Sequence, residues 1–442
     1  MKILKTLSLL LLTTSLVACS GSSEPSETSE EEHIVLNATC PTPLNNKGYF
    51  NMQAPYYESR FFNKSDTFQK DLMLVSFLSA TTAYSKSAHE HLFNQMGFDN
   101  YHYSETYDTG DTEDGYYLIC SHKKIGEYDL IAFSFSGVNY TAEWMSNFNI
   151  GVEGDHAGFM YAMNNAYEEI NAYIAENYAN SKLKIWGTGY SRGAALANLT
   201  GCRLNSDTEL NIPQDDIHIY TFEAPTSLIK SHVKNYKNIH NLYNTFDLVT
   251  YVPPKEYQLY RDGVDYDVYN ENINSYFTGE FAYLDPIAFV PSDKYNKPID
   301  FINDFLHILV TNGGDQTKAD TRAEYMENLY PFFTALISLY AYNSLSTLLE
   351  FFASFSDIGY LELVILMANP ESIEQLLLEK LELFEMTYTP ENVHTIAYTG
   401  SPLFTTLAGK LVAMISSNME NMKNMVLIHM PDYQYVLLSN YK

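Results

Sequence analysis

The sequence predicts an α/β fold with a mostly parallel sheet and a helical insertion. Three observations support this prediction. From about Tyr56 onward, apolar runs typical of strands alternate with segments of helical periodicity. The pentapeptide Gly189–Gly193 has the pattern G-x-S-x-G and follows a short apolar run, as expected for a turn from strand to helix. The segment from about 255 to 386 breaks the alternation and carries mostly helical patterns.

Composition restricts the class of protein. The 442 residues can form one elaborated domain or two domains, and a hydrophobic content of 46% is enough for a large core. The formal net charge of −28 argues against nucleic acid as a partner and against charge-driven binding to anionic lipid. The sequence has neither a phosphate-binding glycine loop nor a His/Cys cluster with zinc spacing. We therefore expect no cofactor and no metal.

The N-terminus predicts a lipid-anchored, exported protein. Residues 1–18 have the layout of a signal peptide, with two early lysines followed by a short apolar stretch. The segment Leu16–Cys19 resembles the lipobox of bacterial lipoproteins, which implies cleavage before Cys19 and lipidation of its thiol. The alternative is an ordinary secretory signal. Residues 19–40 are predicted to be a flexible tether, because Ser20–Glu32 is almost free of apolar residues. The expected location is the surface of a bacterial cell of the Gram-positive type, with the lipid in the membrane.

The body of the chain, residues 41–442, supplies the elements of the predicted fold in order. Apolar periodicity predicts helices over Asp71–Gln95 and around Phe159–Ile174, and helices in the insertion over Ala323–Phe352 and Ser372–Phe384. Short apolar runs predict strands over Tyr128–Phe135, Leu183–Trp186, Ile217–Phe222 and Ile239–Phe246. Uncharged residues 328–349 could suggest a membrane span, but their Pro, Asn and Ser/Thr content favours a buried or cap helix.

The pentapeptide Gly189–Gly193 makes Ser191 a candidate nucleophile. In a nucleophile elbow the serine lies on a sharp, strained turn, and glycines two positions before and after it let neighbouring backbone pass close by. The small-residue run Gly193–Ala197 is suited to a helix packed tightly against the sheet. The alternative is a glycine-rich turn whose serine has no catalytic role.

Several segments together resemble the class 3 lipases, especially their Firmicute branch. The matching segments are Thr188–Leu199, Glu143–Phe148, His156–Phe159, Tyr220–Pro225, Asn244–Val249 and Val252–Pro254. The resemblance implies an α/β-hydrolase fold over residues 41–442. It also implies a carboxylic ester hydrolase similar to triacylglycerol lipases. Because the insertion at about 255–386 lies between the candidate acid and base and is rich in apolar helices, we predict that it packs as a cap over Ser191; the alternative is a remote helical subdomain. Two positions depart from the family pattern: Tyr190 stands where the family often has His, and Ser136 where it usually has Arg.

A serine nucleophile needs a base and an acid that orients the base, and α/β-hydrolases place them in the order Ser, acid, His. Asp247 is the candidate acid because it follows a predicted strand; the alternative is a turn or capping Asp. Three histidines come later, and the resemblance favours His429, since many Firmicute relatives end with a similar H-x-P segment. His394 is the second choice. His307 is the third, because the apolar run Phe305–Leu309 predicts a buried helix position for it.

The oxyanion of the reaction needs backbone donors. We expect one from the N–H of Arg192, directly after the nucleophile. The resemblance implies that Val138, or its neighbour Gly137, supplies the other. His156 precedes Ser191 in the chain and is expected to support structure.

The sequence therefore predicts a serine hydrolase that cleaves carboxylic esters of lipids with the triad Ser191, Asp247 and His429. Within the enzymes, the alternatives are a phospholipase or a carboxylesterase for small esters. From another class, the alternative is a surface binding protein that keeps the fold without turnover. The cysteines do not form a disulfide framework; one bond among Cys40, Cys120 and Cys202 is possible, and the sequence does not choose its partners.

Overall fold

The structure is a computed structural model. It describes residues 32–42, 44–109, 115–136, 142–285, 287–311, 319–341, 369–399, 414 and 418–442.

A seven-stranded sheet forms the centre of the molecule. Its order is β11-β9-β7-β6-β5-β4-β3; the five strands from β11 to β5 are parallel, and β4 and β3 are added antiparallel at one edge. Two separate two-stranded sheets pair β1 with β2 and β8 with β10. The strands are β1 (Ile34–Pro41), β2 (Tyr49–Tyr56), β3 (Asp99–Tyr103), β4 (Tyr117–Ile125), β5 (Tyr128–Ser136), β6 (Lys182–Tyr190), β7 (Ile217–Phe222), β8 (Leu228–Ile229), β9 (Ile239–Tyr243), β10 (Leu259–Tyr260) and β11 (Val264–Asp267).

Helices cover both faces of this sheet and make up most of the C-terminal part. They are α1 (Lys70–Thr82), α2 (Lys86–Gln95), α3 (Thr106–Thr109), α4 (Ala142–Phe148), α5 (Ala157–Tyr178), α6 (Arg192–Ser206), α7 (Pro298–Thr311), α8 (Arg322–Asn328), α9 (Tyr330–Ala341), α10 (Pro370–Leu383), α11 (Met419–Leu427) and α12 (Pro431–Ser439).

Strands β5, β6 and β7 are buried on both faces over most of their length, which is why apolar residues occur on both sides of each strand. Neighbouring residues point to opposite faces: Trp186 packs in a core with α1, and Ile185 packs in a second core with α5 and α6. The Trp186 indole donates a hydrogen bond to Ser76 Oγ of α1 at 2.8 Å. This double burial holds the carboxyl end of β6, where Ser191 follows, between two packed layers.

The predicted tether of residues 19–40 is wrong in its last part. Residues 34–40 belong to β1, which forms an antiparallel hairpin with β2. The physical reason is a two-residue alternation that places Leu36, Ala38 and Cys40 in the core. The first thirty-one residues, with the predicted signal peptide and Cys19, lie outside the described residues.

The other predicted elements are found with adjusted bounds. The predicted helix Asp71–Gln95 is two helices, because Ser85 starts α2 by accepting a hydrogen bond from the Ala88 N–H. Strand β6 is longer than predicted and runs to Tyr190, whereas β9 ends at Tyr243, before the turn that carries Asp247.

The predicted insertion at about 255–386 is mostly helical where the structure describes it, but its predicted start is wrong. Strands β10 and β11 lie within these bounds, and β11 belongs to the central sheet because it pairs in parallel with β9. Helices α7, α8, α9 and α10 lie within it, together with short 3-10 turns. The predicted helix Ala323–Phe352 is divided into α8 and α9, and its last part lies outside the described residues. No helix in the described part of the chain has the length and apolarity needed to cross a membrane.

Cys40, Cys120 and Cys202 are free thiols. Cys40 and Cys120 are buried in the core and contribute to its packing. The three residues form no disulfide with one another.

Candidate active site

The turn after β6 has the backbone conformation that a nucleophile elbow requires. Ser191 has φ 57° and ψ −126°, an unusual conformation for a residue other than glycine, and α6 starts directly after it. A Cβ on Gly189 would lie 2.1 Å from the Gly193 carbonyl oxygen, and one on Gly193 would lie 2.5 Å from the Phe135 carbonyl oxygen. Both glycines of the pentapeptide are therefore needed for close backbone packing.

The structure brings Ser191, His429 and Asp247 together. Ser191 Oγ lies 2.8 Å from His429 Nε2, and His429 Nδ1 lies 2.5 Å from Asp247 Oδ2. Asp247 is fully buried, whereas 17% of the His429 side chain is exposed. The other carboxylate oxygen of Asp247 accepts the Val249 N–H at 2.9 Å, which fixes the acid in its turn. This chain of contacts is the arrangement that a serine, a base and an orienting acid need.

His429 lies in the short connection between α11 and α12, and several groups hold that connection. The Tyr190 hydroxyl donates a hydrogen bond to the His429 backbone carbonyl, and the two rings are 5.3 Å apart. Asp432, buried at the start of α12, accepts hydrogen bonds from Thr42 Oγ1 and the Tyr283 hydroxyl, both at 2.7 Å. The N-terminal hairpin and the insertion therefore both help to place the histidine.

Arg192 has two separate roles to consider. Its N–H is at the first position of α6, where helix geometry supplies no acceptor within the helix. Its guanidinium is buried and donates to the Gly115 carbonyl, at 2.6 Å from Nη2, to Asn147 Oδ1 at 2.7 Å and to Ser146 Oγ at 3.0 Å. Burial lowers the pKa of Arg192 to about 10. The side chain thus ties the elbow to α4.

His156 is placed as the sequence predicted, in a structural position. It is fully buried and caps α5, with Nδ1 accepting the Phe159 N–H at 3.3 Å and its ring stacked on that of Phe159. Burial, and then the neighbouring Arg192, lower its pKa to about 3. The residue is therefore neutral at physiological pH.

A largely apolar cavity of about 390 Å³ opens beside Ser191. Its size is in the range of small-molecule sites. The body contributes Phe148, Phe159 and Pro225 to its wall, and the insertion contributes Leu306, Val310, Tyr325, Leu329 and Phe333. Ser191 and Arg192 lie at the cavity wall. The elements that the sequence assigned to an insertion therefore form part of the wall of this site.

The other two candidate bases, His307 and His394, are not part of this arrangement. His307 is exposed on α7 and contacts Glu256, so the apolar run around it did not make it a core residue. His394 is also exposed, and its Nδ1 lies 3.2 Å from Glu374 Oε1. Val138 and Gly137, the expected second oxyanion donors, lie outside the described residues.

Sequence reasoning did not assign a role to three residues near the site. Tyr190 was noted only as a departure from a family pattern, although its hydroxyl holds the His429 backbone. Glu223 is buried after β7 and neighbours Asp247. Arg322 of α8 donates to backbone carbonyls of the 150–155 loop. The sequence offered one indication for Glu223: it is the charged residue in the otherwise uncharged motif Tyr220–Pro225.

A family comparison gives the same assignment as this geometry. Residues 132–257 match the model of the family described as Lipase (class 3). Residues 132–257 belong to the class 3 lipase family. This segment starts in β5, contains Ser191 and Asp247, and ends where the insertion begins. The predicted family, the α/β-hydrolase fold and the ester hydrolase class are confirmed, and the lipase match supports a lipid ester as the class of substrate.

Among solved structures, the lipase-like chain is similar to fungal lipases at low identity. The structure titled "A serine protease triad forms the catalytic centre of a triacylglycerol lipase" has a TM-score of 0.39 and 17% identity, covering 47% of this chain and 83% of the other. A Rhizomucor miehei lipase propeptide complex has a TM-score of 0.37 and 17% identity, and the match covers 46% of this chain and 68% of the other. Lipase II from Rhizopus niveus has a TM-score of 0.33 and 15% identity, and the match covers 44% of this chain and 78% of the other. No curated protein matches the chain.

Proposed function

We propose that this protein is a serine hydrolase that cleaves carboxylic esters of lipids, with Ser191 as nucleophile, His429 as base and Asp247 as orienting acid. The observation that carries the proposal is the continuous contact from Ser191 Oγ through both ring nitrogens of His429 to the buried carboxylate of Asp247. The class 3 lipase match supports the reaction class independently of this geometry.

Each group has a defined task in the reaction. Ser191 Oγ attacks the acyl carbon while His429 Nε2 accepts its proton, and Asp247 stabilises the imidazolium that forms. The ester C–O bond then breaks, and His429 returns the proton to the leaving alcohol. Water attacks the acyl-serine by the same route and releases the carboxylic acid.

The oxyanion is proposed to receive a hydrogen bond from the Arg192 N–H. This donor has the free position at the start of α6, so it requires no rearrangement to bind a developing negative charge. By the family resemblance, Val138 or Gly137 would supply the second donor.

The apolar cavity beside Ser191 favours an acyl chain as the group that it holds. Its walls come from aromatic and aliphatic side chains, and a chain placed there would leave the ester carbonyl near the nucleophile. This supports a lipid ester over a small acetate-like ester. A phospholipase would use the same cavity, so the head group has to be decided by assay.

The N-terminal segment supports a location at the cell surface. The lipobox-like Leu16–Cys19 and the polar stretch after it would attach the hydrolase to the outer face of a bacterial membrane by a lipid on Cys19. The cap role of the insertion is also part of the proposal, since several of its residues line the cavity.

The decisive experiment combines covalent labelling with a substrate series. Wild-type protein and S191A are treated with a fluorophosphonate probe and assayed on p-nitrophenyl esters of rising chain length and on phospholipid vesicles. We expect labelling and turnover by the wild type, with a loss of at least ~10³-fold in S191A. S206A, which alters an exposed serine at the end of the same helix, is the matched control. Equal turnover by wild type and S191A would contradict the proposal, and a folded wild type with neither labelling nor turnover would favour a binding protein.

A further inference from the structure

A second carboxyl group is buried next to the acid of the triad. Glu223 follows β7, and only 2% of its surface is exposed, while Asp247 follows the neighbouring strand β9 and is fully buried. The two residues are therefore placed at the carboxyl ends of adjacent parallel strands. Two buried carboxyl groups whose charges interact cannot both be ionised at low cost.

The backbone holds Glu223 in this position. Its φ is 54°, which a residue other than glycine rarely adopts, and its N–H donates to the Leu242 carbonyl at 2.9 Å. Its carboxyl oxygen Oε2 accepts the Asn244 N–H at 3.0 Å. Asn244 begins the turn that ends with Asp247, whose N–H donates to the Asn244 carbonyl at 2.9 Å. One side of the Glu223 carboxyl is thus an acceptor bound to the same turn that carries the catalytic acid.

The surroundings of Glu223 favour its neutral form on balance, although Arg261 and the Asn244 N–H act in the opposite direction. Burial, and then the charge of Asp247 and a hydrogen bond to it, raise the pKa of Glu223 well above its ordinary value. The neighbouring cation, Arg261, directs its guanidinium to the Ala224 carbonyl at 2.6 Å and to the Thr250 carbonyl at 3.1 Å. The hydroxyls of Tyr190 and Tyr243 also lie near Glu223, and a negative charge on Glu223 would contribute to raising the pKa of both.

We propose that Glu223 is a positioning residue of the triad, whose neutral carboxyl group donates a hydrogen bond to Asp247 and orients that carboxylate toward His429. This inference rests on the proposed function. Asp247 then has three partners: the Val249 N–H on Oδ1, the His429 Nδ1–H on Oδ2, and the acid proton of Glu223. A neutral donor satisfies a buried carboxylate without adding charge, whereas a second ionised group would repel it.

The arrangement has a consequence for the base. A donor on Asp247 withdraws negative charge from this carboxylate and so moderates its attraction for the protonated His429. Removing the donor should make the imidazolium more stable. The acid limb of kcat/KM should then move to higher pH.

The test compares E223Q with E223A in the full-length protein, using a p-nitrophenyl ester. Gln keeps both hydrogen bonds of a neutral Glu, because its oxygen can accept the Asn244 N–H and its amide can donate to Asp247. We expect kcat of E223Q within about threefold of wild type, with an unmoved acid limb. For E223A we expect kcat lower by about 10-fold to 100-fold, the loss of one hydrogen bond to a charged group, with a nearly unchanged KM. Its acid limb should lie at higher pH.

Two results would overturn the inference. Either E223A keeps kcat and its acid limb, or E223Q is as impaired as E223A, which would mean that an ionised Glu is required. If E223A does not fold, infrared difference spectra of wild type minus E223Q at neutral pH still decide: a protonated carboxyl C=O band is expected, and its absence would refute a neutral Glu223. This band does not depend on turnover, so it separates failure of this inference from failure of the ester hydrolase proposal, which the S191A assay tests.

Discussion

Replacing Arg322 by Met should detach the insertion from the loop before α5 and open one wall of the cavity. Arg322 is 8% exposed, at the start of α8, and its guanidinium reaches backbone carbonyls of the 150–155 loop. Tyr325 and Phe333, further along the same helical pair, line the cavity beside Ser191. The acceptors are the carbonyls of Gly154 at 2.5 Å, Gly151 at 2.9 Å, Glu153 at 3.1 Å and Asp155 at 3.5 Å, together with Ile150.

The size of the effect follows from these contacts. A hydrogen bond to a charged group contributes ~1.5–3 kcal/mol when its partner would otherwise stay buried. One guanidinium makes all of these bonds, and the loop is only half-buried, so water can replace part of what is lost. We therefore expect a loss of about 2–3 kcal/mol in the docking free energy of α8. This corresponds to a docking equilibrium weaker by about 30-fold to 150-fold.

The assay is hydrogen exchange of the 149–155 and 319–333 segments, together with kinetics on a short and a long p-nitrophenyl ester. R322M should exchange faster in both segments and lose at least about tenfold in kcat/KM on the long ester, with less effect on acetate, because acetate does not fill the cavity. R203M, which removes an exposed arginine of α6, is the control. If R322M matches R203M in exchange and in chain-length preference, Arg322 does not anchor this wall and our reasoning is wrong.

Four further outcomes can be checked. H429A should lose as much activity as the nucleophile variant, because triad members act as a unit, while H394A stays active; the opposite result would assign the base to His394. Y190F, which loses the hydroxyl bound to the His429 backbone, should lower kcat by about 3-fold to 10-fold at unchanged KM, and an unaltered kcat would show that this bond does not place the base. C19S should abolish both detergent partitioning and the added mass of protein expressed in a bacterium, whereas an unmodified soluble wild type would end the anchor proposal. If Glu223 is neutral in the folded state, as proposed, its pKa is raised above the ordinary value of 4.5, so wild-type stability should fall relative to E223Q as the pH rises above that value, by about 1.4 kcal/mol per pH unit; parallel urea-unfolding curves at several pH values would contradict this if their difference were constant.

The N-terminal hairpin has a place in the site that its sequence position did not suggest. Thr42, directly after β1, donates to Asp432, and Tyr435 of α12 exchanges hydrogen bonds with the backbone of Gln53 in β2. The hairpin therefore supports the helix that follows His429. We expect removal of residues 33–56 to affect the active site as well as stability.

The sequence by itself determined the features that depend on local or short-range constraints. The elbow around Ser191 is recognisable because a strained turn needs glycines at defined spacing. Strand β7 is recognisable because a strand buried on both faces is mostly apolar and uncharged. Chain order then restricted the acid and base to residues after the nucleophile, and the family resemblance favoured Asp247 and His429 among them. The chain order of nucleophile, acid and base was enough to place the three residues near one another, because the carboxyl ends of parallel strands meet at one edge of the sheet.

Only the tertiary structure decided which distant groups meet. His429 lies 238 residues after Ser191, and no periodicity within either segment reports that their side chains are 2.8 Å apart. The apolar run around His307 predicted burial, but this residue lies on the solvent-facing side of α7. In an amphipathic helix, the packing of the apolar residues decides which side faces solvent, and that packing is not visible in the sequence. The pairing of Glu223 with Asp247 arises from the register of β7 and β9, and whether a buried carboxyl is neutral depends on neighbours that come from other strands. Burial, charge pairing and cavity shape are properties of the packed chain, because each requires contacts between segments that the sequence keeps far apart.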